Sequence, residues 1–181
     1  MTHIDLGVDE ERLPGIQGLL AYRPETAKPL MDLAEVLLRS PNSLPRGERE
    51  LIAAYVSSRN ENTYCRESHS AFAAAQLPSG RQLVDEVRQD PETAAISQKL
   101  RTLLHIAEAV RRDGRTVTDK LVEAARSEGA TDREIHDTVL IAAAFSMFNR
   151  YVDGLATASP SDPEAYQRAV PRSVNSGYTA R

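Results

Sequence analysis

Apolar positions along this chain recur at helical spacing almost throughout and nowhere alternate convincingly over the length of a strand. Leu30, Leu33, Ala34, Leu37 and Leu38 mark one face of a helix over 27–39, which Ser40, Pro41, Asn42 and Ser43 end. Pro45 suits a first helical turn, so a second helix is predicted over 45–59, with Asn60 and Asn62 as turn and cap. A third follows at once over 63–76, stopped by Leu77, Pro78, Ser79 and Gly80, and 82–89 forms a shorter polar one. Ile96, Leu100, Leu103, Ala107 and Val110 predict a helix over 93–112, and Thr118 caps another over 118–127. Thr131 with Glu134 three residues later is a capping box, opening the longest helix, which runs towards Asp153 and Gly154.

The middle of that last helix is unusual. Leu140, Ile141, Ala144, Phe145 and Phe148 leave it no polar side, which predicts burial all round and a subunit interface over one face. At the ends the pattern weakens. Pro14, Gly15 and Gly18 reduce 13–22 to an irregular lead-in with one helical turn, and a short helix over 162–170 precedes a loose tail. The chain therefore reads as all-α, with a lead-in over 1–26, a helical domain over 27–158 and a C-terminal segment over 159–181.

Composition agrees with this pattern and narrows the function. The 181 residues suffice for one ordinary domain, and only 5% are aromatic, too few for a typical sheet core. A net charge of -4 disfavours a nucleic-acid surface. The longest apolar stretch, 139–148, is half of what a membrane helix needs, and no basic n-region opens the chain. A soluble, cytoplasmic protein is expected. With one cysteine there is no intrachain disulfide and no four-cysteine zinc site.

That cysteine lies in the most informative stretch, RGERELIAAYVSSRNENTYCRESHSAFAAAQ, residues 46–76. With Asn62 as N-cap, Tyr64 and Cys65 fall in a first helical turn, where unpaired amides and the helix dipole favour a thiolate. His69 follows four residues on, on the same face and within expected reach of the sulfur, and Phe72 continues that face. A Cys and His stacked in this way form the minimum of an activated sulfur nucleophile. On the preceding helix Glu50 shares a side with Ala53, Ala54 and Ser57, small enough to let the two helices approach and bring Glu50 to the imidazole. Read singly, each residue has a plainer role: Cys65 as a small buried hydrophobe, His69 as a hydrogen-bonded histidine, Glu50 as a solvated charge. A zinc site built from Cys65, His69 and one of Glu50, His105 or His136 lacks a second pair at ligand spacing, so no metal and no cofactor is expected.

Glu50, Cys65 fifteen positions later and His69 resemble the E…C-x-x-C-x-x-x-H core of the AhpD-like alkylhydroperoxidases, within the carboxymuconolactone decarboxylase superfamily. RGERELIAAYVSSRN, TLLHIAEAV and EIHDTVLIAAAFSMFNRYVDGL are similar to helices of its peroxidase-related branch, over roughly residues 13–155. The resemblance implies a helical bundle that oligomerises through its helices, and reduction of hydroperoxides at Cys65 with Glu50 and His69 as proton relay. It also exposes two departures. Asn62 stands where redox members of the family carry a first cysteine, and Tyr64 stands where the hydroperoxidases carry a histidine. A sulfenic acid at Cys65 would then need an external thiol reductant or a cysteine of another chain. Two alternatives stay open: a cofactor-free, decarboxylase-like lyase acting on a small organic acid through Glu50 and His69, and a non-catalytic oligomeric relative.

Overall fold

The computed structural model describes residues 2–179, which form helices and turns with no strand among them. Nine helices are α1 (Ile16–Tyr22), α2 (Pro24–Arg39), α3 (Arg46–Arg59), α4 (Thr63–Ala74), α5 (Gly80–Gln89), α6 (Gln98–Arg112), α7 (Asp119–Ser127), α8 (Asp132–Gly154) and α9 (Pro163–Val170). Their starts follow from side-chain caps. Asn62, Ser97, Thr118 and Thr131 each accept a backbone N–H three residues on, satisfying amides the first turn leaves unpaired. Both halves of the Thr131–Glu134 capping box are present. Two helices depart from the expected bounds by more than two residues. Ser97 caps α6, so it begins at Gln98 instead of residue 93, and α2 begins at Pro24 and tolerates Pro29 near its start.

The core is laid around α3, α6 and α8, where Leu51, Ile52, Val56, Leu103, Leu104, Ile106 and Ile141 are fully enclosed. α3 is buried on nearly every side, including two charged residues, Arg49 and Glu50. Arg49 donates to the carbonyls of Leu37 and Ser40 at 2.9 and 3.0 Å, filling acceptors that the C-terminal end of α2 leaves open. Close approach of α3 to the end of α4 depends on Gly47, where a Cβ would stand 3.0 Å from the Gln76 carbonyl oxygen and from Leu77.

α8 leaves part of its apolar surface open in the single chain, as a face reserved for a subunit interface requires. Ile141, Ala144, Phe145 and Phe148 are buried against the core, but Leu140 and Met147 remain 36% and 43% exposed, so one edge of the apolar run is open in the single chain. No helix among the described residues is long and apolar enough to cross a membrane. The C-terminal segment also differs from a loose tail. After α9, a wide turn over Pro171–Ser176 lies against α2, and Tyr178 packs on the core.

Candidate active site

α3 and α4 pack side by side and bring Glu50 and His69 together, nineteen residues apart in sequence. Nδ1 of His69 lies 2.7 Å from Oε2 of Glu50, and both side chains are buried. The small residues Ala53, Ala54 and Ser57 on α3 let the helices close on one another, as their spacing predicts. With Nδ1–H donating to the carboxylate, Nε2 carries the free lone pair, so the pair holds one tautomer and one acceptor nitrogen. Three rings enclose the imidazole: Phe72 and Phe145 edge-on at 5.3 and 4.5 Å, and Tyr178 stacked at 6.1 Å between centroids. Tyr178 also donates its hydroxyl to Oε1 of Glu50 at 2.6 Å, so both carboxylate oxygens are engaged.

Cys65 stands where the sequence places it, in the first turn of α4, but not in the predicted electrostatic state. Asn62 accepts the Cys65 N–H at 2.9 Å and donates to Oδ1 of Asp153 at 2.6 Å, tying the helix start to α8. Burial pushes the thiol up to about 12; a hydrogen bond with the Asn149 side chain opposes this and the nearby Asp153 charge adds to it. The helix dipole, worth about 1 kcal/mol at such a position, is outweighed by desolvation of a fully enclosed sulfur. The easily ionised thiol expected from the helix start is therefore corrected: the resting sulfur is S–H. No hydrogen bond joins it to His69, although the two residues are one turn apart.

The other predicted residues divide between two sides. Phe72 touches both, packing edge-on to His69 and in the cluster around Cys65 with Leu6, Leu19, Val152 and Tyr166. Tyr64 faces away from the imidazole, its hydroxyl bonded by Gln17 Nε2 at 2.8 Å and its ring 6.2 Å from Tyr166. With Ser68 it lines an open cleft of about 540 Å³, and Cys65 is not among the residues lining it. His105 and His136 pair with Glu92 and Asp137 at the surface and do not join the site. No group of three or more metal-ligating side chains converges among the described residues.

Three residues at the site escaped sequence reasoning: Tyr178, Phe145 as a ring on His69, and Asn149. Asn149 carried a signal, as a polar residue closing the apolar run of α8, and it donates to Ser57 Oγ at 3.1 Å while accepting from Asn60. Tyr178 carried none, since its neighbours Asn175, Ser176 and Gly177 read as an unstructured tail.

Comparison with known proteins is consistent with this architecture. Residues 24–108 match the carboxymuconolactone decarboxylase family. The fold is similar to that of an uncharacterized peroxidase-related protein from Ralstonia eutropha with an alkylhydroperoxidase AhpD core: TM-score 0.77, 23% identity, covering 91% of this chain and 92% of that one. It is also similar to an uncharacterized peroxidase-related protein from Silicibacter sp., with TM-score 0.76 and 27% identity over 87% of this chain and 82% of that one. No curated protein matches the chain significantly.

Proposed function

Because this chain belongs to the AhpD-like and carboxymuconolactone decarboxylase superfamily, we propose that it reduces hydroperoxides at Cys65, with His69 as acid and base and Glu50 holding His69. The observation that carries this reading is the buried Glu50–His69 pair, one helical turn from the chain's one cysteine. Nε2 of His69 takes the thiol proton as sulfur attacks the near oxygen of the peroxide, and returns it to the departing alkoxide. The O–O bond breaks, an S–O bond forms, and Cys65–SH plus ROOH become Cys65–SOH plus ROH. One external thiol then condenses with the sulfenic acid, releasing water, and a second liberates Cys65–SH and a disulfide. Asn62, where a resolving cysteine would stand, instead caps α4, so both reducing equivalents come from outside the chain.

A protonated sulfur does not exclude this step, but it makes the base indispensable. It also favours a second reading, in which Cys65 is structural and Glu50 and His69 perform acid–base chemistry on a small organic acid. The Cys65→Ser variant separates the two. Thiol-dependent peroxide consumption, followed by loss of peroxide, is expected to fall to background in Cys65→Ser, and undiminished consumption there contradicts the proposal; turnover of a small organic acid that survives Cys65→Ser and is lost in His69→Ala assigns the site to acid–base chemistry by the Glu50–His69 pair.

A further inference from the structure

The C-terminal segment reaches Glu50 by a specific route. Arg39 on α2 pairs with Glu35 at 2.9 Å and donates to the carbonyls of Ser173 and Val174, so the guanidinium holds the turn that precedes Tyr178. Glu35 Oε2 accepts the backbone N–H of Tyr178 at 2.7 Å. Between these anchors Gly177 has φ +97°, and a Cβ there would stand 2.5 Å from Glu35 Oε2, so both backbone conformation and space require glycine. Four interactions thus fix one side chain whose hydroxyl ends on a carboxylate 128 residues away in sequence.

We infer that Tyr178 is a positioning residue of the Glu50–His69 site, delivered by the C-terminal strap. This rests on the proposed role of that pair. Oε1 of Glu50 has Tyr178 as its hydrogen-bond donor, and Oε2 faces His69; with Oε1 held, the carboxylate cannot rotate away from the imidazole. The Tyr178 hydroxyl is also 3.5 Å from His69 Nδ1, close enough to follow the ring if the carboxylate shifts. Ionisation of the phenol is pushed well above its ordinary range by burial and by the Glu50 charge, so it stays a donor at every pH at which the protein works. Removing the hydroxyl while keeping the ring leaves a buried carboxylate oxygen without its donor, which loosens the pair.

The test reads the Nδ1–H of His69 directly. In the full-length protein this proton is expected as a resolved, slowly exchanging signal far downfield in the proton NMR spectrum, absent in His69→Ala. In Tyr178→Phe, with an unchanged circular dichroism spectrum, its exchange with water is expected to rise by about ten- to a hundredfold, the range set by losing a hydrogen bond to a charged group. Gly177→Val, which touches neither Glu50 nor His69, is expected to do the same by displacing the strap. An unchanged exchange rate in Tyr178→Phe overturns the inference. Because the readout needs no turnover, a failure of peroxide reduction appears at Cys65 and a failure of this inference appears at His69.

Discussion

Replacing His69 with alanine is expected to lower thiol-dependent peroxide turnover by roughly 10²- to 10⁴-fold, the usual contribution of a positioned general acid and base. The large effect follows from the state of the sulfur. A thiol held near 12 presents almost no thiolate at neutral pH, so its proton must leave during attack, and the departing alkoxide must receive one. In the proposed reaction His69 supplies both transfers through Nε2, because Glu50 occupies Nδ1. In His69→Ala the remaining activity depends on thiolate alone and is expected to rise about tenfold per pH unit between pH 7 and 9, a slope the wild-type protein does not share. Steady-state rates across that range check both points. An alanine variant with wild-type turnover would remove His69 from the reaction.

The buried acids also make the fold sensitive to alkali. Burial raises Cys65 from 9.0 to about 12 and Tyr64 from 10.0 to about 12, and pushes Tyr178 well above 10.0. Each group keeps its proton longer in the folded chain than in the unfolded one. Between the two values the unfolded chain holds fewer protons, so stability is complete below pH 9 and falls as pH rises towards 12. Each group removes about 1.4 kcal/mol per pH unit across its window. Three such groups acting together between pH 10 and 12, against a total stability of about 5–15 kcal/mol for an ordinary domain, predict cooperative unfolding in that range. Circular dichroism against pH measures it, and Cys65→Ala is expected to move the midpoint upward by removing one of the groups. The same protonation makes alkylation of Cys65 by iodoacetamide at pH 7 about 10³-fold slower than that of an exposed thiol. Stability that is flat to pH 12, or alkylation at the rate of a free cysteine, would contradict the buried S–H.

Much of the arrangement is legible in local sequence because its determinants are local. Asn62, Thr118 and Thr131 announce helix starts through their side-chain oxygens, and each forms the predicted cap. The meeting of Glu50 and His69 was also readable, since the small residues beside Glu50 specify which face of α3 meets α4. What could not be read depends on distant chain segments. Cys65 has the local signature of an activated thiol, yet its protonation is decided by enclosure among Leu6, Leu19, Val152 and Tyr166, residues from four other parts of the chain. Tyr178 has no periodicity to reveal it; its place is set by Arg39 and Glu35 on the second helix. The apolar pattern of α8 predicts a core side and an interface side; the packed core covers the side carrying Ile141, Phe145 and Phe148 and leaves Leu140 and Met147 open in the single chain.

Alkylation and peroxide reduction make different demands on the sulfur, and this separates a quiescent thiol from an inert one. Iodoacetamide captures thiolate already present, while a peroxide can be attacked as His69 moves the proton to the leaving oxygen. The most direct measurement is therefore mass spectrometry of Cys65 after exposure of the wild-type chain to one equivalent of hydroperoxide, with dimedone present to trap sulfenic acid. A dimedone adduct on Cys65, lost in His69→Ala, is the predicted result. Cys65 recovered as the unmodified thiol while the peroxide remains unconsumed would contradict the proposed reaction.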